Sequence, residues 1–524
     1  MRPASIFSDN MVLLRDRETC VFGEGSQDEE VSVCLTDLIH NTKEQVVTKA
    51  ADGRWQVKLP SHAAGGTYEM VIKGEDSEVT IHNLTYGEVW LAAGQSNMEL
   101  ELQNAQNGNI ELSESHSEIR YYNVVKTPVA DESLIEQESY RYWHICENGD
   151  FRDMSAVAYY YAKELAKKLQ VPVGIVDCYQ GGTSISCWLS KENLLSVPQG
   201  IPYHESYEEV IRNQTEEEYD ALLEDYNNRL SDYNQRVDKL KEEQPDITQE
   251  AINEQAGDYP WPPPMGRKSL FRPYGLYYTM MQRILPYTIK GVLYYQGEED
   301  TNKTDRYDIL LEKLIEQYRT DFEDPELIFI DLQLPMFIGK HDTDDCMWGR
   351  TRLAQAEAVK RTEHTGLVVL LDLGEFDNVH PVDKKTPGIR TAKYVLEHVY
   401  GCQEEGTAME LKKSVSVESG IRISFQNTYG GILVKKNELL DIRHAADDNK
   451  YADAPIGFEG SENGKDWFPL PAEIDGETIC VKTDDQQVQY LRYGYFNYGK
   501  VNVYNQAGIP LAPFCVQIET QCRG

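Results

Sequence analysis

Several signatures that assign proteins to particular functional classes are missing from this 524-residue sequence. It has no uninterrupted apolar run of about 18 residues, so no membrane-spanning segment is predicted. The N-terminal stretch MRPASIFSDNMVLL includes Arg2 but lacks the apolar core of a signal peptide. No HExxH, Cys/His quartet, P-loop or GxGxxG pattern occurs, and we therefore predict neither a metal nor a cofactor.

The cysteines follow no disulfide or metal-binding pattern. There are ten, they are scattered along the chain, and none forms a CxxC pair. This spacing is typical of reduced thiols in a cytoplasmic protein, which is the location that we expect.

Positive charge is scarce in this sequence. Asp and Glu number 87 against 51 Lys and Arg, which gives a formal net charge of −36 at pH 7. So acidic a surface repels phosphate backbones and anionic lipid headgroups, and it excludes nucleic acids and membrane surfaces as partners. An anionic substrate would require a local cationic site within this acidic protein.

The residues that are present predict several structural regions. Near both ends of the chain, apolar and polar residues alternate between glycine turns, as at Val31, Val33 and Leu35, and this period of two predicts β-strands. Between the ends, short apolar strands alternate with amphipathic helices, which predicts an α/β domain with a parallel sheet covered on both faces. The predicted regions are a β-sandwich at 1–85, the α/β domain at 86–189 and 271–404, a helical insertion at 190–270 and a second β domain at 405–524.

The insertion contains a heptad pattern of tyrosine and apolar residues from Tyr219 to Leu240. Thr215 and Glu218 form a capping box before it and Pro245 follows it, so the pattern predicts one long helix. Three heptads favour an amphipathic helix packed on the body of the protein over a coiled coil. We hypothesise that the insertion covers the functional site or forms the interface of a homodimer.

Polar residues follow four of the predicted strands, in the segments 94–98, 180–183, 296–298 and 372–381. Because the carboxyl ends of parallel strands meet at one edge of a sheet, we expect these segments to lie together. They supply a serine, a glycine pair, an amide and an Asp-x-x-His sequence, which is the set that acyl transfer through a serine requires. We predict Ser96 as the nucleophile, His380 as the base and Asp377 as the carboxylate that orients the base.

An oxyanion formed at the serine also needs hydrogen-bond donors. We assign this role to the backbone N–H groups of Ser96 and Gly182 and to the side-chain amide of Gln296. Glu298 would repel an oxyanion, so we expect it to support the site from behind. Each segment alone also fits a helix cap, a turn or a capped loop, and no GxSxG elbow is present.

Four ordered blocks, GQSNM, GGTSISCW, YYQGEE and DNVHP, resemble the motifs of the SGNH hydrolase superfamily. More specifically, the chain resembles the sialate O-acetylesterase family and its acetylxylan-esterase relatives, over most of its length except 190–270. The resemblance implies an SGNH-type parallel sheet flanked by helices, in addition to the N-terminal and C-terminal all-β domains. It implies Ser96 as the nucleophile, His380 as the base, and Gly182 and Gln296 as contributors to the oxyanion site.

Departures from the family's blocks leave two assignments open. Related sequences often carry an asparagine pair or Asn-Asp before Ile-His, where this chain has Asp377 and Asn378. Glu375 is therefore the alternative acid to Asp377. Gly181 is the alternative to Gly182.

The resemblance implies hydrolysis of O-acetyl groups from an acetylated carbohydrate, with acetylated sialic acids as the expected substrate. Acetylated xylan or another plant polysaccharide is the alternative within esterases. A non-catalytic glycan-binding protein is the alternative from another class, and the intact Ser, His and Asp set argues against it. We predict that Trp188 either floors a sugar site or lies in the core. Arg352 matches a family arginine, and we predict that it faces the pocket or extends along a surface helix.

Overall fold

The computed structural model describes residues 1–245, 247–303, 307–435, 453–484 and 486–519. The N-terminal region contains β-strands where the alternating pattern predicts them. In the strand Glu30–Asp37, the side chains of Val31, Val33 and Leu35 are buried on one face. The strands of this region are β1 (Arg2–Pro3), β2 (Val12–Leu14), β3 (Thr19–Glu24), β4 (Glu30–Asp37), β5 (Thr42–Lys49), β6 (Arg54–Leu59), β7 (Gly65–Lys73) and β8 (Glu78–Gly94).

A tight turn connects β5 to β6. Asp52 and Gly53 have φ angles of 52° and 79°, and positive φ at both central residues is what a two-residue turn of this type requires. β6 then buries Trp55 and Val57. The side chains of β5 are exposed or half-buried, and none is fully buried. Because its residues do not alternate between apolar and polar, the sequence pattern does not predict this strand.

The α/β region supplies β9 (His116–Asn123), β10 (His144–Cys146), β11 (Val173–Tyr179), β12 (Gly291–Tyr295), β13 (Ile328–Leu332) and β14 (Thr365–Val368). The strands β9, β11, β8, β12, β13 and β14 lie side by side in that order and run parallel. β10 pairs antiparallel with β9 at the edge. The predicted α/β character of this region is therefore confirmed.

The α-helices lie between β8 and the C-terminal region in the chain. They are α1 (Ser96–Glu99), α2 (Gly108–Glu111), α3 (Glu132–Glu138), α4 (Ala156–Leu169), α5 (Lys191–Leu195), α6 (Ile201–Ile211), α7 (Glu216–Glu243), α8 (Gln249–Ala256), α9 (Gln282–Ile284), α10 (Tyr307–Asp321), α11 (Met347–Arg361) and α12 (Lys385–His398). Within the described ranges, none of them combines the length and the apolar character needed to cross a bilayer.

Helices cover both faces of the parallel sheet, as the sequence predicts. Along β8, Trp90 and Ala92 belong to one apolar cluster, whereas Val89, Leu91 and Ala93 belong to another. The first cluster includes side chains of α4 and α12, and the second includes side chains of α10. Successive residues of a strand point to opposite faces, so a strand buried on both sides reads as a continuous apolar run.

β8 belongs to two regions at once. Its first half pairs antiparallel with β7 and parallel with β2, and its second half pairs in parallel with β11 and β12. The boundary expected between residues 85 and 86 therefore falls inside an unbroken strand.

The segment 190–270, which we refer to as the insertion, contains the helices α5 to α8. Thr215 and Glu218 form the predicted capping box, with reciprocal hydrogen bonds of 3.2 and 2.9 Å. α7 ends two residues before Pro245, which cannot continue it. The buried residues of its heptad pattern are Tyr219, Tyr226 and Tyr233.

The C-terminal region is built of small antiparallel sheets. Its strands are β15 (Glu410–Val417), β16 (Gly420–Gln426), β17 (Ile432–Val434), β18 (Phe458–Ser461), β19 (Phe468–Pro469), β20 (Ala472–Asp475), β21 (Thr478–Val481), β22 (Tyr490–Tyr493), β23 (Val503–Asn505) and β24 (Phe514–Gln517). Its apolar cluster includes Met336 and Leu371, so this region packs on the α/β region. Residues 436–452, 485 and 520–524 of the predicted second β domain lie outside the described residues.

Candidate active site

Ser96 begins α1 directly after β8. Gly94 ends the strand with a φ of 128°, and a Cβ atom there would lie 2.2 Å from the carbonyl oxygen of Tyr295, so only glycine permits this approach of β8 to β12. Gln95 is buried, and its side-chain oxygen accepts a hydrogen bond from the Gly297 N–H at 3.3 Å. Ser96 itself is half-buried. Because α1 has only four residues, individual N–H groups, more than a macrodipole, supply positive potential there.

The buried side chain of Asn97 joins three strand-end segments. Its Nδ2 donates to Glu298 Oε1 at 2.6 Å and to the Val379 carbonyl at 3.0 Å. Its Oδ1 accepts from the buried ammonium of Lys384 at 2.6 Å. Asn97 follows the predicted nucleophile and Val379 precedes the predicted base, so these bonds hold the two loops together. The expected supporting role of Glu298 agrees with this arrangement, and burial raises the pKa of its carboxyl.

His380 lies next to this network. Among the described residues, its ring nitrogens form no hydrogen bond to Ser96 Oγ or to any other group, while its backbone N–H donates to Asn378 Oδ1 at 3.1 Å. Loss of water around the ring, and then the Lys384 ammonium, lower the pKa of His380 to about 4. The residue as a whole is exposed to solvent, so a substrate can reach it. At pH 7 the imidazole is neutral and able to accept a proton.

The carboxylate of Asp377 is engaged away from the histidine. Its Oδ1 accepts from the Lys340 N–H at 2.9 Å, and its Oδ2 accepts from Asn253 Nδ2 at 3.2 Å. The predicted hydrogen bond from the His380 ring to Asp377 is therefore not formed in this structure. Asn253 belongs to α8, so the insertion holds this carboxylate.

The alternative acid, Glu375, is also engaged elsewhere. Its two oxygens accept from Asn378 Nδ2 at 2.7 Å and from the Val382 N–H at 2.8 Å. These bonds shape the loop that carries the histidine. Neither candidate acid contacts the imidazole in the described structure.

Two backbone N–H groups are available to an oxyanion. The Gly181 N–H donates to the carboxylate of Glu99, which also contacts the ammonium of Lys126. The N–H groups of Ser96 and Gly182 have no acceptor among the described residues. Gly182 has a φ of 71°, in the left-handed region. This geometry favours Gly182 over its alternative, Gly181.

Gln296 serves a different purpose from the predicted one. It is fully buried, and its Nε2 donates to the Thr183 carbonyl at 2.5 Å and lies 3.4 Å from a carboxylate oxygen of Asp300. Its amide hydrogens are thus directed at the loop behind the glycine pair, and the predicted donation to an oxyanion is not seen. Asp300 also accepts from the Ile185 N–H at 2.8 Å and the Tyr203 hydroxyl at 2.6 Å. Together these residues fix the position of the glycine loop.

Two predicted substrate contacts lie inside the protein. Trp188 is completely buried, and its Nε1 donates to Thr183 Oγ1 at 3.1 Å, so the core alternative is correct. Arg352 is also completely buried, and its guanidinium donates to backbone carbonyls that include those of Gly494 and Phe496. A buried guanidinium needs acceptors for its donors, and here the C-terminal region supplies two of them and the Pro335 carbonyl a third. The predictions of a sugar floor at Trp188 and of a pocket-facing or surface-lying Arg352 are wrong.

Three further residues near the site carry no recognisable motif in the sequence. Lys384 and Lys126 are isolated cations in the sequence, and no motif distinguishes them. Trp261, in the proline-rich stretch 261–265, lies against Gly182, where an added Cβ atom would come within 2.1 Å of its ring. The signal that was available was an aromatic residue within a proline-rich connection.

One group of side chains in the described structure has metal-binding spacing. Glu111, Glu114 and His116 bring their ligand atoms within 4.8 Å of one another. The ammonium of Lys163 already lies 2.5 Å from Glu111 and 2.7 Å from Glu114. This group is an ion-pair cluster in which Glu111 is buried and Glu114 is exposed.

A half-buried serine at the end of β8, a neutral histidine on the adjoining loop and two available N–H groups together define a hydrolase of carboxylic esters. The family model for carbohydrate esterases described as sialic acid-specific acetylesterases matches residues 86–240 and 266–392, more than half of the chain. The chain belongs to this family, and it is a carbohydrate O-acetylesterase.

The chain is similar to several relatives, and to one solved structure, over nearly its whole length. The sialate O-acetylesterase of Mus musculus is 24% identical over 99% of this chain and 94% of its own. The human sialate O-acetylesterase is 24% identical over 100% of this chain and 94% of its own. The crystal structure of a carbohydrate acetylesterase from Xanthomonas citri is similar in fold, with a TM-score of 0.73, 23% identity, and coverage of 98% of this chain and 99% of that one.

Proposed function

We propose that the protein removes O-acetyl groups from sugars by a serine mechanism on an SGNH-type sheet, and that acetylated sialic acids are its substrate class. One observation supports the mechanism above the others. The residue after Ser96 is hydrogen-bonded to the residue before His380, at 3.0 Å, so the loops that carry the nucleophile and the base are held together. The family match and the sialate O-acetylesterase relatives support the substrate class.

The reaction has two halves. Ser96 Oγ attacks the acetyl carbonyl carbon while His380 takes the hydroxyl proton, and the oxyanion accepts hydrogen bonds from the N–H groups of Ser96 and Gly182. The C–O bond to the sugar then breaks, and His380 returns the proton to the leaving sugar oxygen. Water attacks the acetyl-serine, again losing its proton to His380. As this second intermediate collapses, the bond from the acetyl carbon to Ser96 Oγ breaks and His380 returns the proton to that oxygen, which releases acetate and restores the hydroxyl.

The acid that steadies the histidine is proposed to be Asp377. Its place three residues before His380 supports this assignment, although its carboxylate must turn from Asn253 and the Lys340 N–H to reach the imidazole. If Asp377 is this acid, D377N lowers kcat far more than E375Q does. The reverse order would transfer the role to Glu375.

The charges around the site favour a second candidate substrate, a neutral acetylated oligosaccharide. The Lys126 ammonium is paired with Glu99, the Lys384 ammonium is buried against Asn97, and Arg352 lies in the interior. A sialic acid carboxylate would have to compete with Glu99 for Lys126. A neutral sugar requires no such exchange.

The test is acetate release from acetylated sialosides and from acetylated neutral oligosaccharides, together with labelling by a fluorophosphonate. S96A and H380A should each lower kcat by at least roughly a thousandfold, because a triad member acts as part of a unit. The matched control is S113A, which alters an exposed serine away from the site. A fluorophosphonate adduct on another residue, or full activity in S96A, would refute the mechanism. Binding of sugar without any acetate release by the wild-type protein would indicate a glycan-binding protein.

A further inference from the structure

Two aromatic rings at the rim of the site are exposed to solvent. Tyr259 and Trp261 are 49% and 42% exposed. Their rings are stacked, with centroids 6.3 Å apart and an interplanar angle of 22°. Single exposed aromatic residues are common, but a stacked pair beside a nucleophile presents a continuous apolar surface of the kind that marks binding sites.

The glycine pair places this surface next to the nucleophile. A Cβ atom on Gly181 would lie 3.2 Å from Ser96 Cβ, and a Cβ atom on Gly182 would lie 2.1 Å from the Trp261 ring. Consecutive Cα atoms are about 3.8 Å apart, so one dipeptide separates the serine from the indole. An acetyl group at Ser96 would leave its sugar ring within reach of Trp261.

The rings are held in place from below by other aromatic side chains. Tyr259 packs edge-on against Tyr233 of α7, with centroids 5.3 Å apart. Trp261 packs edge-on against Phe271 at 5.6 Å. The tyrosine stripe of the long insertion helix therefore supports the exposed pair. Such a fixed surface loses little entropy when a ligand covers it.

The segment from α8 to Trp261, which carries the two exposed rings, is also anchored on the opposite side of the site. Asn253 donates to the Asp377 carbonyl at 2.9 Å, and the Lys340 ammonium contacts both Glu250 and Glu254 of α8. The chain between Asn253 and Trp261 thus runs from the histidine loop to the glycine loop. It frames both edges of the site.

We infer that Trp261 and Tyr259 form an aromatic subsite that binds the pyranose ring of the acetylated glycan, an inference that rests on the proposed function. A pyranose presents a face of C–H groups, which packs on an indole or phenol ring, while its hydroxyl groups remain in water. Ligand sites combine such apolar walls with a few polar groups that orient the ligand. Residues 241–265, which include both rings, lie outside the residues that the family model matches.

The test compares a sugar substrate with a substrate that has no sugar. The variants are W261A, W261F, Y259A and Y140A, the last being the matched control because Tyr140 is 73% exposed and lies away from the site. For each, kcat and KM are measured with an acetylated xylo-oligosaccharide, a 9-O-acetylated sialoside and 4-nitrophenyl acetate. The ratio of kcat/KM for the preferred sugar ester to that for the aryl ester is the readout.

In W261A we expect this ratio to fall roughly ten- to hundredfold, mainly through KM, as for a buried aromatic contact. W261F should keep the ratio within about threefold of wild type, since it retains a stacking ring. Y259A should lower it less than W261A, and Y140A should not change it.

Three results would overturn the inference. If the sugars are cleaved and W261A changes neither activity, the subsite is refuted while the proposed function stands. If W261A lowers both activities equally, Trp261 only supports the Gly182 loop and binds no sugar. If wild-type protein cleaves the aryl ester but neither sugar ester, the proposed function itself fails, and the subsite fails with it.

Discussion

Replacing Asn97 by alanine should loosen the site without touching the reacting atoms. Asn97 makes hydrogen bonds of 2.6, 3.0 and 2.6 Å to Glu298, the Val379 carbonyl and Lys384, and it is completely buried. In the alanine variant, the buried carboxylate of Glu298 and the buried ammonium of Lys384 each lose a hydrogen-bond partner. A hydrogen bond to a buried charged group contributes about 1.5–3 kcal/mol, so the loss of these two bonds costs about 3–6 kcal/mol. We expect the local free energy of opening to fall by that amount.

Hydrogen exchange measured by mass spectrometry suits this prediction, because a chain of several regions is not expected to unfold in a single step. A loss of about 3 kcal/mol raises exchange by roughly a hundredfold or more, since each 1.4 kcal/mol is a factor of ten. The increase should appear in peptides covering 95–99 and 378–384 and not in the C-terminal region. The matched control is N104A, an exposed asparagine near the same helix.

A double variant distinguishes the cost of leaving the Lys384 ammonium unpaired from the cost of losing the packing of the Asn97 side chain. Adding K384M to N97A removes the unpaired ammonium, so the double variant should regain part of the protection that N97A loses. kcat should fall by roughly a hundredfold in N97A, as a 1 Å misplacement of catalytic groups can cause. Exchange within threefold of wild type in N97A, together with unchanged kcat, would refute the role of this network.

Two further predictions concern single residues. Because the pKa of His380 is lowered to about 4, its imidazole stays neutral as the pH falls from 7.5 to 5.5, and kcat/KM for an aryl acetate should be nearly unchanged over that range. With an ordinary pKa of about 6.5, only about a tenth of the base would be neutral at pH 5.5, so a tenfold loss of kcat/KM there would contradict the assignment. R352M should lower the thermal unfolding temperature, because buried carbonyls including that of Gly494 lose a charged donor, at about 1.5–3 kcal/mol for each bond. If R352M instead leaves the unfolding temperature unchanged and raises KM for sugar esters, Arg352 binds substrate and does not stabilise the fold.

The position of the site could be predicted from the sequence, because apolar runs show where the strands of the parallel sheet end. The apolar runs that become β8, β11 and β12 are buried on both faces and stand out from their surroundings. In a parallel sheet their carboxyl ends must share one edge, which brings Ser96, Gly182 and Gln296 together without knowledge of any side chain. The α/β class and the helical insertion followed from periodicity in the same way.

Orientation within the site was not accessible. Whether Gln296 donates to an oxyanion or to the Thr183 carbonyl depends on which acceptor lies nearer, and no pattern of residue types records that. Arg352 finds its acceptors at residues 494 and 496, more than a hundred positions along the chain. Trp261 reaches Gly182 only because α7 and α8 have already folded back on the body. Contacts of this kind are set by long-range packing, and a single sequence carries little signal for them.

The unbroken course of β8 through two regions has a consequence for how the protein can be divided. A cut at the apparent boundary near residue 85 would sever a strand whose C-terminal half lies between β11 and β12 and ends just before Ser96. The N-terminal β region is thus not a removable module, because it contributes to the same continuous ladder as the catalytic sheet. The N-terminal region and the catalytic sheet thus share one strand, and the position of Ser96 depends on residues that never approach the substrate.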